Sequence, residues 1–215
     1  MGSISIKYDC GVPQISCTGC GNCESVMGKS LCGVADRGCC HYFPEFTLAD
    51  IHRMVHCSGG LKALKIILGN PGTIINSYNL YAKGEFDREA YDRYVEGGRL
   101  VETSLLRDHT VFFRTCPFVR PSYGCVLPPR FRTAICNFFV CREILDRPDL
   151  QDGFKAYIEE RSRYSRWIYR ESAELQRLLS EKGISLVSDF DSALKLLAEI
   201  PPNLYEFPEL PPVEY

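Results

Sequence analysis

The feature that most constrains this chain is where its cysteines fall. All twelve (Cys10, Cys17, Cys20, Cys23, Cys32, Cys39, Cys40, Cys57, Cys116, Cys125, Cys136 and Cys141) lie in the first two-thirds of 215 residues. The stretch "SCTGCGNCESVM" sets Cys17, Cys20 and Cys23 at two-residue gaps. A two-residue gap lets neighbouring thiolates reach one ion from a tight turn. Residues 10–46 are rich in Cys and Gly and have little periodicity, which predicts a loop region in need of an external organiser. Ordering backbone costs roughly 1–2 kcal/mol per residue, and few apolar side chains are present here to offset it. Metal ligation can, since structural sites contribute about 10–16 kcal/mol in apparent terms.

Disulfides are the competing use of cysteine, typical of small secreted scaffolds with too little core. This chain is 45% hydrophobic and has apolar residues enough for a core. Its opening "MGSISIKYDCGVPQIS" lacks the apolar run of an export signal, and Ile6 stands where a myristoylation motif needs serine or threonine. No segment approaches the roughly 18 apolar residues of a membrane span. The expectation is a cytoplasmic protein without membrane contact, whose clustered thiols bind metal. A net charge of −2 argues against nucleic acid as a partner. Arg161, Arg163 and Arg166 cluster, but the interleaved acids mark a solvated helix face.

Outside the cysteine groups the pattern predicts a mainly helical α+β fold with short strands and hairpins around a Cys-rich metal centre. "TLADIHRMV" puts Leu48, Ile51 and Val55 on one helical face, and Thr47 with Asp50 is an N-terminal signal. "LKALKIIL" predicts a second helix. "TIINSYNLYAKGEF" predicts strand or hairpin structure. Asp87 caps a helix ending at Gly97-Gly98. "TVFFRTCPF" predicts a strand running into Cys116-Pro117, and "GCVLPPRF" a strand halted by Pro128-Pro129. From about Leu150 to Lys182, apolar residues recur at helical spacing (Leu150, Phe154, Ile158, Tyr164, Ile168, Leu175 and Leu178/Leu179), with Gly183 as C-cap. Tyr164 and Trp167 are expected in the core. A last helix starts near Ser188 or Asp189 and stops at Pro201-Pro202. The Pro-rich acidic tail "PPNLYEFPELPPVEY" either lies extended over the body or stays mobile. The expected division is a Cys-rich metal-binding domain over 1–148 and a helical extension with Pro-rich tail over 149–215, packed on the same core.

The thiols form two groups. One is Cys17, Cys20 and Cys23, then Cys32, then Cys39-Cys40; the other is Cys116, Cys125, Cys136 and Cys141. Adjacent Cys39 and Cys40 face opposite ways in extended backbone, so they suit two sites, or one of them packs. His41 follows the pair directly and, with Cys32, is a further candidate ligand. Cys57 at a helix end is expected to pack as a small core residue. His52 and His56 are spaced i, i+4, and a surface or half-buried pair is expected rather than a chelate. His109 stands alone.

The second group, "CPFVRPSYGCVLPPRFRTAICNFFVC", resembles the signature of the zinc- or iron-chelating cysteine-cluster proteins, the CxxCxxCC or YkgJ-type family. Cys116, Pro117, Phe118, Gly124, Cys125, Leu127, Arg132, Cys136, Phe139 and Cys141 match its pattern in order. "CTGCGNC" and "CCHYFPEFTLADI" are similar to its first half, so the resemblance covers about residues 10–145. Glu24 follows Cys23 where the family has its double cysteine, which here comes only at Cys39-Cys40. Thr133 stands where proline is usual, and Asn137 where arginine is usual. The family includes flagellin lysine N-methylase-like proteins and members described as Fe–S oxidoreductases.

The resulting expectation is a cysteine-ligated metal-binding protein with a structural or electron-transfer role. Its ligands are expected among Cys17, Cys20, Cys23, Cys39, Cys40, Cys116, Cys125, Cys136 and Cys141. Thiolates alone do not choose between zinc and an iron–sulfur cluster; the Cys17–Cys20–Cys23 run resembles a ferredoxin start and tips the choice to iron–sulfur. One alternative, implied by the resemblance, is a metal-dependent Fe–S oxidoreductase or protein-lysine methyltransferase with a protein substrate, although no Gly-x-Gly-x-x-Gly or Gly-x-Ser-x-Gly motif assigns catalytic residues. Another is a metal-stapled interaction module whose long helix docks a protein partner.

Overall fold

A computed structural model describes residues 2–19, 31, 40–98, 108–120, 124–147 and 150–215. The chain opens with an antiparallel hairpin, β1 (Ser3–Asp9) and β2 (Val12–Cys17). Its turn places Cys10 at φ 50° and Gly11 at φ 77°, the pair of left-handed residues that a two-residue hairpin requires. The sequence reading put residues 10–46 in a loop, but Val12–Cys17 is a strand. Its partner lies outside that window, and pairing Ile6 with Ile15 and Ile4 with Cys17 turns Ile4 and Ile15 into the core.

Next come β3 (Glu45–Thr47) and α1 (Leu48–His56). Thr47 and Asp50 form a reciprocal capping box, which satisfies two of the orphan N–H groups at the helix start. The α1 face carrying Leu48, Ile51 and Met54 is buried; each such side chain contributes roughly 1.5–3 kcal/mol. α2 (Gly60–Leu68) packs beside it. β4 (Thr73–Ile75) and β5 (Asn79–Ala82) complete an antiparallel sheet of order β3-β5-β4. β6 (Glu85–Phe86) precedes α3 (Arg88–Glu96), which Asp87 caps through the Ala90 N–H at 2.9 Å.

Residues Thr110–Phe113, expected as strand, fall in a 3-10 turn over His109–Phe113. Asp108 draws the chain inward by accepting from both the N–H and the hydroxyl of Thr110. β7 (Arg114–Thr115) then pairs with β6. Gly84 permits the approach, because a Cβ there would stand 2.1 Å from the Thr115 carbonyl oxygen. β8 (Val119–Arg120) and β9 (Gly124–Cys125) form a short hairpin. A 3-10 turn at Pro129–Phe131 leads to α4 (Ala134–Asn137) and α5 (Arg142–Leu145).

The long helix α6 (Gln151–Glu181) appears where expected, and Gly183 follows it at φ 66°. Its stripe differs at one place: Ile158 is exposed and Tyr157 is buried instead. α7 (Phe190–Glu199) is capped by Asp189. The tail lies over the body, and β10 (Val213–Glu214) adds to the free edge of β1. The protein is thus mainly helical α+β with short antiparallel strand pairs. Among the described residues no helix is long and apolar enough to cross a membrane.

Among the described residues a small cluster of Val111, Phe112 and Phe113 packs against α3, and two larger cores fill the rest of the interior. One gathers Phe46, Ile51, Leu80, Cys116, Phe118 and Leu197; the other gathers Ile4, Phe138, Phe154, Tyr157, Tyr164 and Val213. α6 joins them, giving Leu175 and Leu179 to the first and Phe154 through Ile168 to the second. Tyr164 is buried and Trp167 packs beside it at 5.5 Å, as expected of core aromatics.

Candidate metal centre

Four segments bring Cys40, Cys116, Cys125 and Cys136 together. The Cys116 N–H donates to the Cys40 carbonyl at 3.0 Å, joining the turn before β3 to the end of β7. The β8–β9 hairpin then folds the chain back, pairing Cys125 with Val119, and the Val126 N–H donates to Phe118 at 2.8 Å. Cys136 comes from α4. Thr133 caps that helix through the Cys136 N–H at 3.4 Å, and its hydroxyl donates to Cys136 Sγ at 3.3 Å. Thr133 therefore holds a candidate ligand directly. Asn137 is buried and donates to the Pro129 carbonyl at 2.9 Å, tying α4 to the preceding turn.

The thiols are close enough to feel one another's charge. Burial, helped by the charges of Cys40, Cys136 and Cys125, pushes the Cys116 thiol up to about 12 against the lowering effect of the Phe118 N–H. Burial also raises Cys125; Arg132 opposes this by charge and hydrogen bond, and Cys40 adds to it. Cys136 keeps an exposed surface on one side. Dense protein on its other side raises its pKa, followed by the charges of Cys125 and Cys40, while the Thr133 hydroxyl lowers it. A cluster of sulfur donors in desolvated surroundings is costly to ionise, and a dication relieves that cost. The donor set fits zinc or an iron–sulfur cluster by chemistry. By geometry it is not drawn tight: among the described residues no three His, Cys, Asp or Glu side chains form a group that could hold a metal ion.

The other candidates divide. Cys17 ends β2 and packs against the second core, its Sγ 2.9 Å from the Tyr215 hydroxyl. Cys141 stands between Val140 and α5, and its carbonyl accepts the N–H groups of Ile144 and Leu145. His41 is buried, with its ring edge-on to Phe139 at 6.2 Å. Cys20, Cys23, Cys32 and Cys39 lie outside the described residues. Cys57 caps the end of α1 and packs against the first core. Cys10, Cys17, Cys57, Cys116, Cys125 and Cys136 are not in disulfides.

Of the histidine pair, His56 is exposed, as expected of a surface pair, and His52 is buried. The Nε2–H of His52 donates to the Ile200 carbonyl at 2.8 Å, and that of His56 to Leu197 at 3.2 Å. A carbonyl accepts only from a protonated nitrogen, so both Nε2 atoms are engaged by the end of α7 and neither is available as a ligand. His109 Nδ1 bonds the Tyr94 hydroxyl at 2.8 Å.

Two residues at the thiols carry roles beyond the cysteine pattern. Thr133 had a local signal, since Thr-x-x-Cys at a helix start has the spacing of an N-cap. Arg132 stood among the residues that carry the resemblance but had no local signal for its role: its Nε donates to the Leu127 carbonyl at 2.7 Å, and it lies beside Cys125.

Compared with known proteins, the chain matches no family model, no curated protein and no solved structure.

Proposed function

We propose that this protein is a cysteine-ligated metal-binding protein with a structural or electron-transfer role. The observation that carries the reading is the gathering of Cys40, Cys116, Cys125 and Cys136 from four separate segments. Four thiolates suit one tetrahedral zinc ion or one corner-ligated iron–sulfur cluster. Cys17, Cys20, Cys23, Cys39 and Cys141, with Cys32 and His41 as reserves, are the pool for a fifth ligand or a second site. The order of cysteines, similar to that of the cysteine-cluster family, supports the same reading, and the Cys17–Cys20–Cys23 spacing favours iron–sulfur over zinc.

In this reading the metal would organise residues 1–148, and the helical part from 149 onward braces them. Leu175 and Leu179 share a core with Cys116, which supports that division of labour. Burial of Ile168, Leu175 and Leu179 leaves α6 little apolar stripe to offer a partner, so the interaction-module reading is the less favoured. The proposed location is the cytoplasm, where thiols stay reduced.

Anaerobic purification, elemental analysis and an absorption spectrum test the proposal. Brown protein with iron and inorganic sulfide is expected. Colourless protein with stoichiometric zinc keeps the thiolate centre and removes the iron–sulfur preference. Protein without either metal, and unable to take one up when reduced, overturns the reading.

A further inference from the structure

The segment 201–215 behaves unlike the rest of the chain. Leu204 is 82% exposed, while Val213 enters the second core and Tyr205, Phe207, Leu210 and Tyr215 pack against its outside. The Asn203 amide donates to Glu171 at 2.9 Å, and the Tyr205 hydroxyl to Glu160. Phe207 stacks on Phe138 at 5.5 Å. The hydroxyls of Tyr8 and Tyr157 donate to the Pro208 and Pro211 carbonyls at 3.3 and 2.8 Å. Val213 and Glu214 then join the edge of β1.

The last anchor is the most specific. Tyr215 and Gly2 exchange backbone hydrogen bonds at 2.8 and 2.9 Å. The Tyr215 ring fills space that two glycines leave open. A Cβ on Gly2 would stand 2.5 Å from a ring carbon, and one on Gly19 would stand 2.5 Å from the hydroxyl. Arg147 lies over the ring at 5.9 Å. This seat brings the Tyr215 hydroxyl to 2.9 Å from Cys17 Sγ, the first cysteine of the two-residue-gap run.

We propose that residues 201–215 are a strap that opens and closes over Cys17, with Tyr215 as its catch. The strap sets how readily metal ions and thiol reagents reach that cysteine. Separate anchors of this kind are individually worth about 1 kcal/mol. Opening the segment draws Val213 out of the second core but is a local event that costs less than global unfolding. Its role in metal entry rests on the metal-binding reading above; its control of access to Cys17 does not.

The test compares full-length wild type with Tyr215→Ala, Tyr215→Phe and Gly2→Val. Gly2→Val unseats the ring without altering the tail. Reduced, metal-free protein is treated with iodoacetamide, and mass spectrometry follows each cysteine, with exposed Cys10 as internal control. Tyr215→Ala and Gly2→Val should each speed alkylation of Cys17 about tenfold, which corresponds to a closing free energy of about 1.4 kcal/mol. Cys10 should be unchanged, and Tyr215→Phe, which keeps the ring, should give a smaller rise. Unchanged Cys17 rates in both Tyr215→Ala and Gly2→Val overturn the strap. So does a parallel rise at buried Cys116, which marks general unfolding. Zinc added afterwards separates the two proposals. If Cys17 responds as expected but no variant binds zinc or iron, the strap stands and the metal-binding reading fails.

Discussion

The amide of Cys116 donates to the carbonyl of Cys40 at 3.0 Å, so the two cysteine groups meet through backbone. That bond fixes the spacing of two segments far apart in sequence, and the β8–β9 hairpin and α4 bring Cys125 and Cys136 to the same place. If these four hold metal, each Cys→Ser change at 40, 116, 125 or 136 should reduce bound metal below stoichiometric. It should also lower the unfolding midpoint, because metal affinity and folding free energy are linked. Cys57→Ser and Cys10→Ser should retain full metal. Elemental analysis with parallel thermal melts measures both, and full metal in Cys116→Ser would remove Cys116 from the ligand set.

Arg132 lies beside Cys125 and opposes the rise in its pKa, while its Nε is committed to the Leu127 carbonyl. It therefore both orients the Cys125 loop and offsets thiolate charge. Outer-shell partners of metal ligands typically matter by about 10–100-fold in affinity. Arg132→Gln should weaken metal retention by roughly that factor in a chelator competition. Arg132→Lys should recover part of it, since the charge returns without the planar fork. Equal loss in both variants would point to the Leu127 bond alone.

Asp50 is buried, and its carboxylate serves three groups. It accepts from the Thr47 N–H and hydroxyl at 3.0 Å each, and it pairs with Arg53 at 2.6 Å. Arg53 in turn donates to the carbonyls of Arg130 and Arg132, pinning the segment that leads to Cys136. Removing one partner of a buried pair leaves the other uncompensated, at a cost of about 3–5 kcal/mol. Asp50→Ala should lose that much in urea denaturation. A loss below about 1 kcal/mol, the scale of an exposed pair, would show that Arg53 finds another partner.

Local chemistry was readable where its partners are local. The Thr47–Asp50 capping box, the Asp87 and Asp189 caps, and α6 with Gly183 beyond it all rest on contacts within a turn or two of chain. The strand Val12–Cys17 was hidden because its ladder partners are Ser3–Asp9 on one side and, through β1, Val213–Glu214 from the far end. His109–Phe113 has the composition of a strand, yet Asp108 captures Thr110 and winds it into a turn. At the site the cysteine spacing nominated the residues. It did not say which first-group thiols would lie near Cys116, Cys125 and Cys136, as Cys40 does, nor that Cys17 would face Tyr215, because both depend on tertiary packing.

His52 gives a pH dependence. Burial lowers its pKa first, and the charge of His56 lowers it further; the Ile200 carbonyl and Glu171 pull the other way without winning. The unfolded chain takes up this proton near the ordinary value of about 6.5, before the folded protein does. The stability contributed by neutral His52 is therefore present above about pH 6.5 and is lost as pH falls through the lower folded value. Unfolding free energy measured across pH 7.5 to 5 should decline on the acid side. In His52→Phe the decline should be shallower, and an identical slope would assign the acid loss to other groups.

One polar anchor of the tail is the Tyr205 hydroxyl on Glu160. The Glu160 side chain is only 5% exposed and also pairs with Arg163 at 3.1 Å. Burial, then the bond to Glu160, pushes Tyr205 up to about 12. Tyr205→Phe keeps the ring against Tyr164 and Trp167 but leaves a carboxylate oxygen of Glu160 without this donor. An unsatisfied buried group costs about 1–3 kcal/mol, so the variant should be less stable by that amount near neutral pH. Glu160→Gln in the same background should restore much of the loss, because the neutral amide is cheaper to bury. The two single changes and their combination form a double-mutant cycle. A coupling energy indistinguishable from zero would mean that the aromatic contacts of Tyr205, and not its hydroxyl, hold this part of the tail to α6.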